Sequence, residues 1–350
     1  AADVLTFGGN NLDAFAGVGG GYDDDGKLLS GAVGVSLDNV DLGLVIVSEK
    51  LTGLEPVGTK ARSWTTAQAT VDQAAFVGVE GLTIEVNDMG LEINRAAKDG
   101  TVVDYSLTAS TTDAETLRNT TLKVATGPTT DLELNLDGAN GQMTRLVGSL
   151  KLDVFGLVKV QGDFGIESRQ GQVKLSGIEN DPKTDKDETL VDVDMLLIGG
   201  SKLSAFVGAG DIGVELKNVE LGLALLTEQV AKPAEGQKAP EARNWTTVQA
   251  TVGQAAFVGV EGLTIEVNNM GLAVNRQASD KSVVDYSLTA IKTDADTARN
   301  TELTVATGPA DSLQLTLDGA AGQTTRLVGS LVLDVFGFVK VEGDFGIESR

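Results

Sequence analysis

Two groups of aspartates have the residue types and spacing of a calcium site. The first is the run Asp23, Asp24 and Asp25, followed by Gly26. The second lies in an acidic connector and comprises Asp181, Asp185, Asp187, Asp192 and Asp194. Calcium binds carboxylate and carbonyl oxygens, which both groups supply, although neither has the alternating ligands and terminal glutamate of an EF-hand loop. The sequence predicts weak calcium sites, and a solvated acidic loop or linker is the alternative.

Paired carboxylates are the other arrangement with catalytic potential. Asp153 and Asp163, with their counterparts Asp334 and Asp344, have the residue types of a glycosidase acid–base pair. Aromatic residues that could stack on a sugar are only 4% of the chain. We therefore interpret these aspartates as outward-facing strand residues rather than catalytic groups.

The composition excludes several classes of function. The chain has no cysteine and no histidine, which removes thiol nucleophiles, Cys/His zinc sites and the Ser-His-Asp triad. Its formal net charge of −23 disfavours binding to nucleic acid and to anionic lipid. No apolar run has the length of a membrane span. We predict a protein that is not an enzyme and needs no cofactor, with calcium as the one ion that it could use.

An internal repeat is the main feature of the sequence. Trp64-Thr65-Thr66 recurs as Trp245-Thr246-Thr247, and the segment from Phe164 to Arg169 recurs from Phe345 to Arg350, each time 181 residues later. This periodicity predicts a first copy at 1–190, including an acidic connector at about 170–190, and a second copy at 191–350 that stops before the connector. The two tryptophans are interpreted as packed strand starts, with an adhesive surface aromatic as the alternative.

Within each copy, apolar residues alternate with polar ones, which is typical of strands with one buried face. Leu82, Ile84 and Val86 alternate, and the pattern resumes at Met89 after Asn87-Asp88. The equivalent interruption in the second copy is Asn268-Asn269. Asn and Asp tolerate left-handed backbone angles. We therefore expect both pairs to form tight turns between strands that face one core.

The alternation predicts an all-β fold, for which two architectures are consistent with the pattern. In a β-solenoid, short strands joined by polar corners stack coil upon coil around a continuous core. In the alternative, the same segments are strands of an elongated antiparallel meander or sandwich array. The recurring strand–Asn/Asp–strand pattern favours the solenoid, whereas the hairpin-like turn at Gly138-Ala139-Asn140-Gly141 favours the antiparallel array.

Three phrases resemble the long repeats of giant bacterial surface and adhesin-like proteins, including those with LEPR-XLL-type signals. They are the segments 205–210 (AFVGAG), 283–288 (VVDYSL) and 333–346 (LDVFGFVKVEGDFG). The resemblance covers most of both copies and rests on similar sequence segments rather than on a diagnostic motif. It implies export, an extracellular or cell-surface location, and a role as a stalk, fibre or adhesive module.

The prediction for function is accordingly a structural segment of an extracellular repetitive scaffold, fibre, stalk or adhesin at a bacterial cell surface. Two alternatives remain, namely a calcium-assisted module that binds glycan or another cell, and a β-groove lipid carrier. The expected partners are further copies of the chain or adjoining repeats, with glycan or another cell surface as the alternative. Neither nucleic acid nor a membrane span is expected.

Overall fold

The computed structural model describes residues 1–24, 27–56, 58–105, 122–177, 190–230, 240–287 and 303–350. The chain divides into two compact units, Ala1–Gly148 and Ser149–Arg350. Regular structure in the described residues consists of β-strands and two three-residue 3-10 turns, Gly138–Asn140 and Gly319–Ala321. The all-β prediction is therefore confirmed.

The first unit is built on an antiparallel meander in which sequential strands lie side by side, in the order β1-β2-β3-β4-β7. Strand β7 begins in this unit and ends in the second. A separate two-stranded ribbon is formed by β5 and β6. The strands are β1 (Ala2–Val18), β2 (Val33–Glu49), β3 (Ser63–Val77), β4 (Leu82–Arg95), β5 (Lys123–Ala125), β6 (Asp131–Glu133) and β7 (Met143–Val154).

The second unit continues the same kind of meander in the order β7-β8-β9-β10-β11-β12-β16-β17. Strand β13 pairs with β8, and β14 pairs with β15 in a second short ribbon. The strands are β8 (Val158–Ser176), β9 (Leu190–Ala209), β10 (Ile212–Glu228), β11 (Asn244–Val258), β12 (Leu263–Arg276), β13 (Val283–Val284), β14 (Thr304–Ala306), β15 (Ser312–Gln314), β16 (Thr324–Val335) and β17 (Val339–Ser349).

The strands pair as expected for the antiparallel meander, which was the alternative to the β-solenoid. Each ladder whose register is defined in the described ranges is antiparallel, and the long strands lie in the sheet in their order along the chain. Stacking of coils, which would define a solenoid, is not found in those ranges. The connections of two to four residues between β3 and β4, β9 and β10, and β11 and β12 permit only antiparallel pairing, because parallel neighbours require a longer crossover.

The sequence copies and the compact units do not share a boundary. Strand β8 belongs to the first copy in sequence, but it lies in the second unit. The predicted connector at about 170–190 is also partly regular structure, because β8 extends to Ser176 and β9 begins at Leu190. Residues 178–189 of the connector lie outside the described residues.

The predicted turns at Asn87-Asp88 and Asn268-Asn269 are wrong in one respect and correct in another. Both pairs lie inside continuous strands, β4 and β12, and so do not separate strands. The left-handed backbone is present, since φ is 49° at both Asp88 and Asn269, and 53° and 52° at Asn39 and Asn218 of β2 and β10. Asn39, Asn218 and Asn269 each mark a β-bulge, whose extra residue returns the next apolar side chain to the same face of the sheet.

Replacing Asn269 with valine is expected to destabilise the second unit by about 1–3 kcal/mol, because a β-branched residue is strained at positive φ. The bulge shifts the register of β12 against β16 between Asn268 and Gly271. Glycine adopts this backbone readily, so N269G is the matched control and should lose much less. Urea unfolding monitored by circular dichroism measures both variants. Equal stability of N269V and the wild type would contradict the assignment of a strained bulge.

In each unit a segment that follows β4 or β12 packs on one face of the strands. We call the described parts of these segments the cover segments, residues 96–105 and 122–142 in the first unit and 277–287 and 303–323 in the second. In the first unit the cover and β2 share a core of Val45, Tyr105, Val124, Leu134 and Leu136. In the second unit a larger core joins the cover to four strands and contains Val173, Leu175, Val191, Val193, Met195, Leu197, Ala224, Leu226, Trp245, Ala278, Val284, Tyr286, Leu303, Val305 and Leu315.

Candidate functional site

The junction between the two sequence copies is a fully paired strand ladder inside the second unit. Strand β8 ends the first copy and β9 begins the second, and they pair from Val158↔Val207 to Lys174↔Leu190. The register places Gly165 opposite Gly199. A Cβ atom on either glycine would lie 2.3 or 2.2 Å from the carbonyl oxygen of Ala306 in the cover segment. The paired glycines therefore form a cradle for the cover backbone, and we call this arrangement the repeat joint.

Polar contacts fasten the cover segment at the repeat joint. Lys202 on β9 places its Nζ 3.1 Å from Asp163 Oδ2 on β8 and 2.7 Å from Asp311 Oδ2 in the cover. Hydrogen bonds from Ser149 and Lys202 lower the pKa of Asp163, although its partial burial opposes them. The Ser201 hydroxyl donates to the carbonyl oxygen of Thr307 at 3.3 Å. These contacts link β8, β9 and the cover segment at the repeat joint.

The edge strand of each unit carries one half of a repeat joint. Strand β1 corresponds to β9, and within the described residues it pairs with β2 alone. Its Gly8 corresponds to Gly199, and a Cβ there would lie 2.4 Å from the Ala125 carbonyl oxygen. Further along this face, Val4 is 51% exposed, whereas its counterpart Met195 is 3% exposed.

Strand β17 is the complementary half. It repeats the first part of β8, with VKVEGDFGIESR at 339–350 and VKVQGDFGIESR at 158–169. Among the described residues it pairs only with β16. Gly346 corresponds to Gly165, but a Cβ on Gly346 would meet only Val328 Cγ1, at 3.7 Å. The cradle that Gly165 completes in the repeat joint is therefore half-formed at this edge.

The predicted calcium ligands do not come together in the described residues. Asp23 closes a small loop, because its Oδ1 accepts a hydrogen bond from the Lys27 amide at 2.8 Å. Asp192 and Asp194 point outward from β9 and accept hydrogen bonds from the glutamine amides of Gln172 and Gln170 at 2.9 and 3.0 Å. Within the described ranges no group of three or more acidic side chains is placed to hold a metal ion.

Most of the other predicted calcium ligands lie outside the described residues. Asp25, Asp181, Asp185 and Asp187 lie outside the described residues, and Asp24 is an exposed turn residue. Calcium binding at the connector therefore stays a prediction.

The paired aspartates have structural partners. Asp153 accepts from the Gly156 amide at 2.7 Å and Asp334 from the Gly337 amide at 2.8 Å, so both stabilise the turn that leads into the next strand. Asp344 accepts from the Ser330 hydroxyl at 2.6 Å, as Asp163 does from Ser149. These contacts support the interpretation of the four carboxylates as strand and turn residues.

Both tryptophans begin a strand and lie under an arginine. Arg62 and Arg243 place their guanidinium carbons 5.1 and 5.2 Å from the ring centroids of Trp64 and Trp245. Trp245 is 1% exposed, which confirms a packed strand start and leaves no adhesive surface there. Arg243 also bonds Glu228, which lowers the pKa of that carboxyl chiefly through this hydrogen bond.

A buried polar network in each unit was not predicted from the sequence. Thr247 donates to Asn275 Oδ1 at 3.3 Å and lies 3.0 Å from the Tyr286 hydroxyl, while Asn275 Nδ2 donates to the Val284 carbonyl at 2.8 Å. Burial raises the pKa of Tyr286, so the phenol stays protonated. Thr66, Asn94 and Tyr105 repeat the arrangement in the first unit. The recurrence of Val-Val-Asp-Tyr-Ser-Leu and of Trp-Thr-Thr in both copies was the available signal.

The chain matches no protein-family model, and it has no significant match among curated proteins or solved structures. No helix formed by the described residues is long and apolar enough to cross a membrane. The repeat joint and its two half-formed counterparts are therefore the features on which a function must be argued.

Proposed function

We propose that this chain is a structural segment of an extracellular repetitive scaffold, such as a fibre, stalk or adhesin, at a bacterial cell surface. The observation that carries the proposal is the repeat joint. Two nearly identical sequence copies meet there through a long antiparallel ladder and share a core, as Val173 and Leu175 of the first copy pack with Val193 and Met195 of the second.

Such a joint suits a load-bearing array. When adjacent repeats share a core and a strand ladder, each copy stabilises the next, and the stability of the array grows with copy number. Pulling neighbouring copies apart would break many backbone hydrogen bonds together with buried apolar contacts. A flexible linker between independent modules would not resist separation in this way.

Location outside the cell is supported by composition and by resemblance. The chain carries 50 acidic against 27 basic residues and has no cysteine or histidine. A strongly acidic surface keeps a long array hydrated and limits lateral association. The sequence segments that resemble those of giant bacterial surface proteins support the proposal that the protein is exported.

The length of concatenated chains tests the scaffold proposal. We expect direct fusions of one, two and three copies of the 350-residue chain to gain a constant increment of length per added copy. Small-angle scattering and negative-stain electron microscopy measure that increment, and urea unfolding should show a rising midpoint along the series. Fusions that collapse without gaining length would contradict the proposal. Labelling of intact source cells with an antibody against the chain tests the location separately.

A further inference from the structure

We propose that the β17 edge of one chain pairs with the β1 edge of a second copy, reproducing the repeat joint between molecules. This inference rests on the proposed scaffold function and specifies the partner, the strands and the register. Its basis is that the chain already contains the same pairing internally, as β8 against β9. An exposed strand edge presents unpaired amide and carbonyl groups that readily accept an added strand.

The internal ladder fixes the register of the proposed pair. Because Ile166 lies opposite Ile198 and Gly165 opposite Gly199, the counterparts Ile347 and Gly346 should lie opposite Phe7 and Gly8 of the second copy. Val339 should likewise lie opposite Ala16. The pairing would reduce the exposure of Ile347, which is 63% exposed, whereas its counterpart Ile166 in the internal ladder is 39% exposed.

The cover segment of the second copy is already in position for the contact. The Ala125 carbonyl lies over Gly8 as the Ala306 carbonyl lies over Gly199. In the repeat joint a second glycine, Gly165, completes the cradle beneath that carbonyl. Gly346 would supply the equivalent glycine from the neighbouring molecule, and any larger side chain at 346 would meet the Ala125 backbone.

Charge makes the intermolecular joint weaker than the internal one. Gln161 lies opposite Ser204 in the repeat joint, but the counterparts Glu342 and Asp13 are both acidic. Lys202, which bridges two aspartates internally, is replaced by Asn11 at the β1 edge. Like charges directly opposite each other destabilise a strand pair. We therefore expect reversible association that becomes stronger as salt screens the repulsion.

Disulfide trapping tests the register, because the chain has no cysteine of its own. Directly opposed strand residues have Cβ atoms about 4.5–5.5 Å apart, close enough for a disulfide after small adjustments. Mixing the F7C chain with the I347C chain under mild oxidation should give a covalent dimer. L12C mixed with I347C is the matched control, since Leu12 is also exposed but lies five residues along the strand. Equal crosslinking of both mixtures, or none with F7C, would overturn the register.

Analytical ultracentrifugation over a range of protein and salt concentrations tests whether the β1 and β17 edges associate. The wild-type chain should associate head to tail, and E342Q should associate about two- to fivefold more tightly because one like-charge pair is removed. G346V should remain monomeric at every concentration. T251V is the control, because it adds the same side chain to the exposed face of the central strand β11, and it should behave as wild type.

The possible outcomes separate this inference from the proposed function. A wild-type chain that stays monomeric under all conditions, or a G346V chain that still associates, would overturn the edge pairing. Either result would leave the length of direct fusions unaffected, because copies joined in one chain do not depend on association between molecules. Fusions that fail to lengthen would instead contradict the scaffold proposal.

Discussion

Replacing Trp245 with alanine should destabilise the second unit by about 3–5 kcal/mol, the range for removing a large aromatic side chain from a core. Trp245 packs among the core residues of four strands and the cover segment. Its Nε1 donates to the Ser282 carbonyl oxygen at 3.2 Å, and Arg243 covers the ring. The substitution would therefore leave a cavity and would remove both this hydrogen bond and the cation–π contact.

The same substitution at Trp64 should have a smaller effect. Trp64 keeps the hydrogen bond, to the Thr101 carbonyl at 3.0 Å, and the contact with Arg62, but its ring is only partly buried. It also lies outside the core cluster of the first unit. The two copies thus supply a matched pair in which sequence is held nearly constant and burial differs.

Urea unfolding followed by circular dichroism measures the loss of stability in each variant. The chain has two tryptophans, one in each unit, so the fluorescence of the remaining tryptophan shows whether the unsubstituted unit is unchanged, the first unit in W245A and the second in W64A. Circular dichroism follows the loss of strand structure in both. Equal loss of stability from the two substitutions would contradict the assignment of Trp245 as the more deeply packed residue.

The long strands could be predicted because their side chains alternate strictly. In β9 the side chains of Val191, Val193 and Met195 are buried, whereas those of Asp192 and Asp194 between them are exposed. Period-two alternation is a local property that a single sequence displays. The choice between solenoid and meander is not local, since it depends on which strand pairs with which.

The asparagine pairs that interrupt the alternation also combine a property that the local sequence determines with one that depends on strand pairing. Their tolerance of positive φ follows from residue type, and the structure has φ of 49° at Asn269. Whether such a residue ends a strand or produces a bulge depends on the neighbouring strands, which hold the ladder in register on both sides. Here the pairing with neighbouring strands keeps the strand continuous. The predicted turns between strands are therefore absent, although the predicted backbone conformation is correct.

The cover segments and the repeat joint were not predicted from the sequence. Leu313, Leu315 and Leu317 alternate with polar residues, but this local alternation does not show that Leu315 packs with Tyr286 against the strands of the sheet. A glycine inside a strand, such as Gly165, indicates a bend or a close backbone approach, but the atom that approaches it, the Ala306 carbonyl oxygen, is more than a hundred residues away. Contacts of that range have no signature in a single sequence.

Valine at Gly165 is expected to destabilise the second unit by about 1–3 kcal/mol, as overpacking of a close-packed site does. The added Cβ would lie 2.3, 2.7 and 2.9 Å from the carbonyl oxygen, carbonyl carbon and Cβ of Ala306. Two of these are backbone atoms of the short strand β14, which cannot turn aside as a flexible side chain can. The cover segment would have to move away from the sheet.

Valine at Gly346 is the matched comparison, because the surrounding sequence is the same apart from Gln161 and Glu342. Its Cβ would meet only Val328 Cγ1 at 3.7 Å, an ordinary contact. The change in unfolding free energy should therefore stay within about 0.5 kcal/mol, as for most exposed substitutions. Both variants should be unfolded in urea at a concentration where the wild-type chain is monomeric.

The difference between G165V and G346V in the loss of unfolding free energy would measure how strongly a neighbouring copy constrains this glycine position. If Gly165 were required by the conformation of its own strand, Gly346 would share that requirement, and both variants would lose similar stability. Neither residue has positive φ, so backbone strain does not predict such a result. A loss confined to G165V would show that the contact with β9 and the cover segment constrains this position. The same steric constraint would then apply at Gly346 only when a second copy lies against β17.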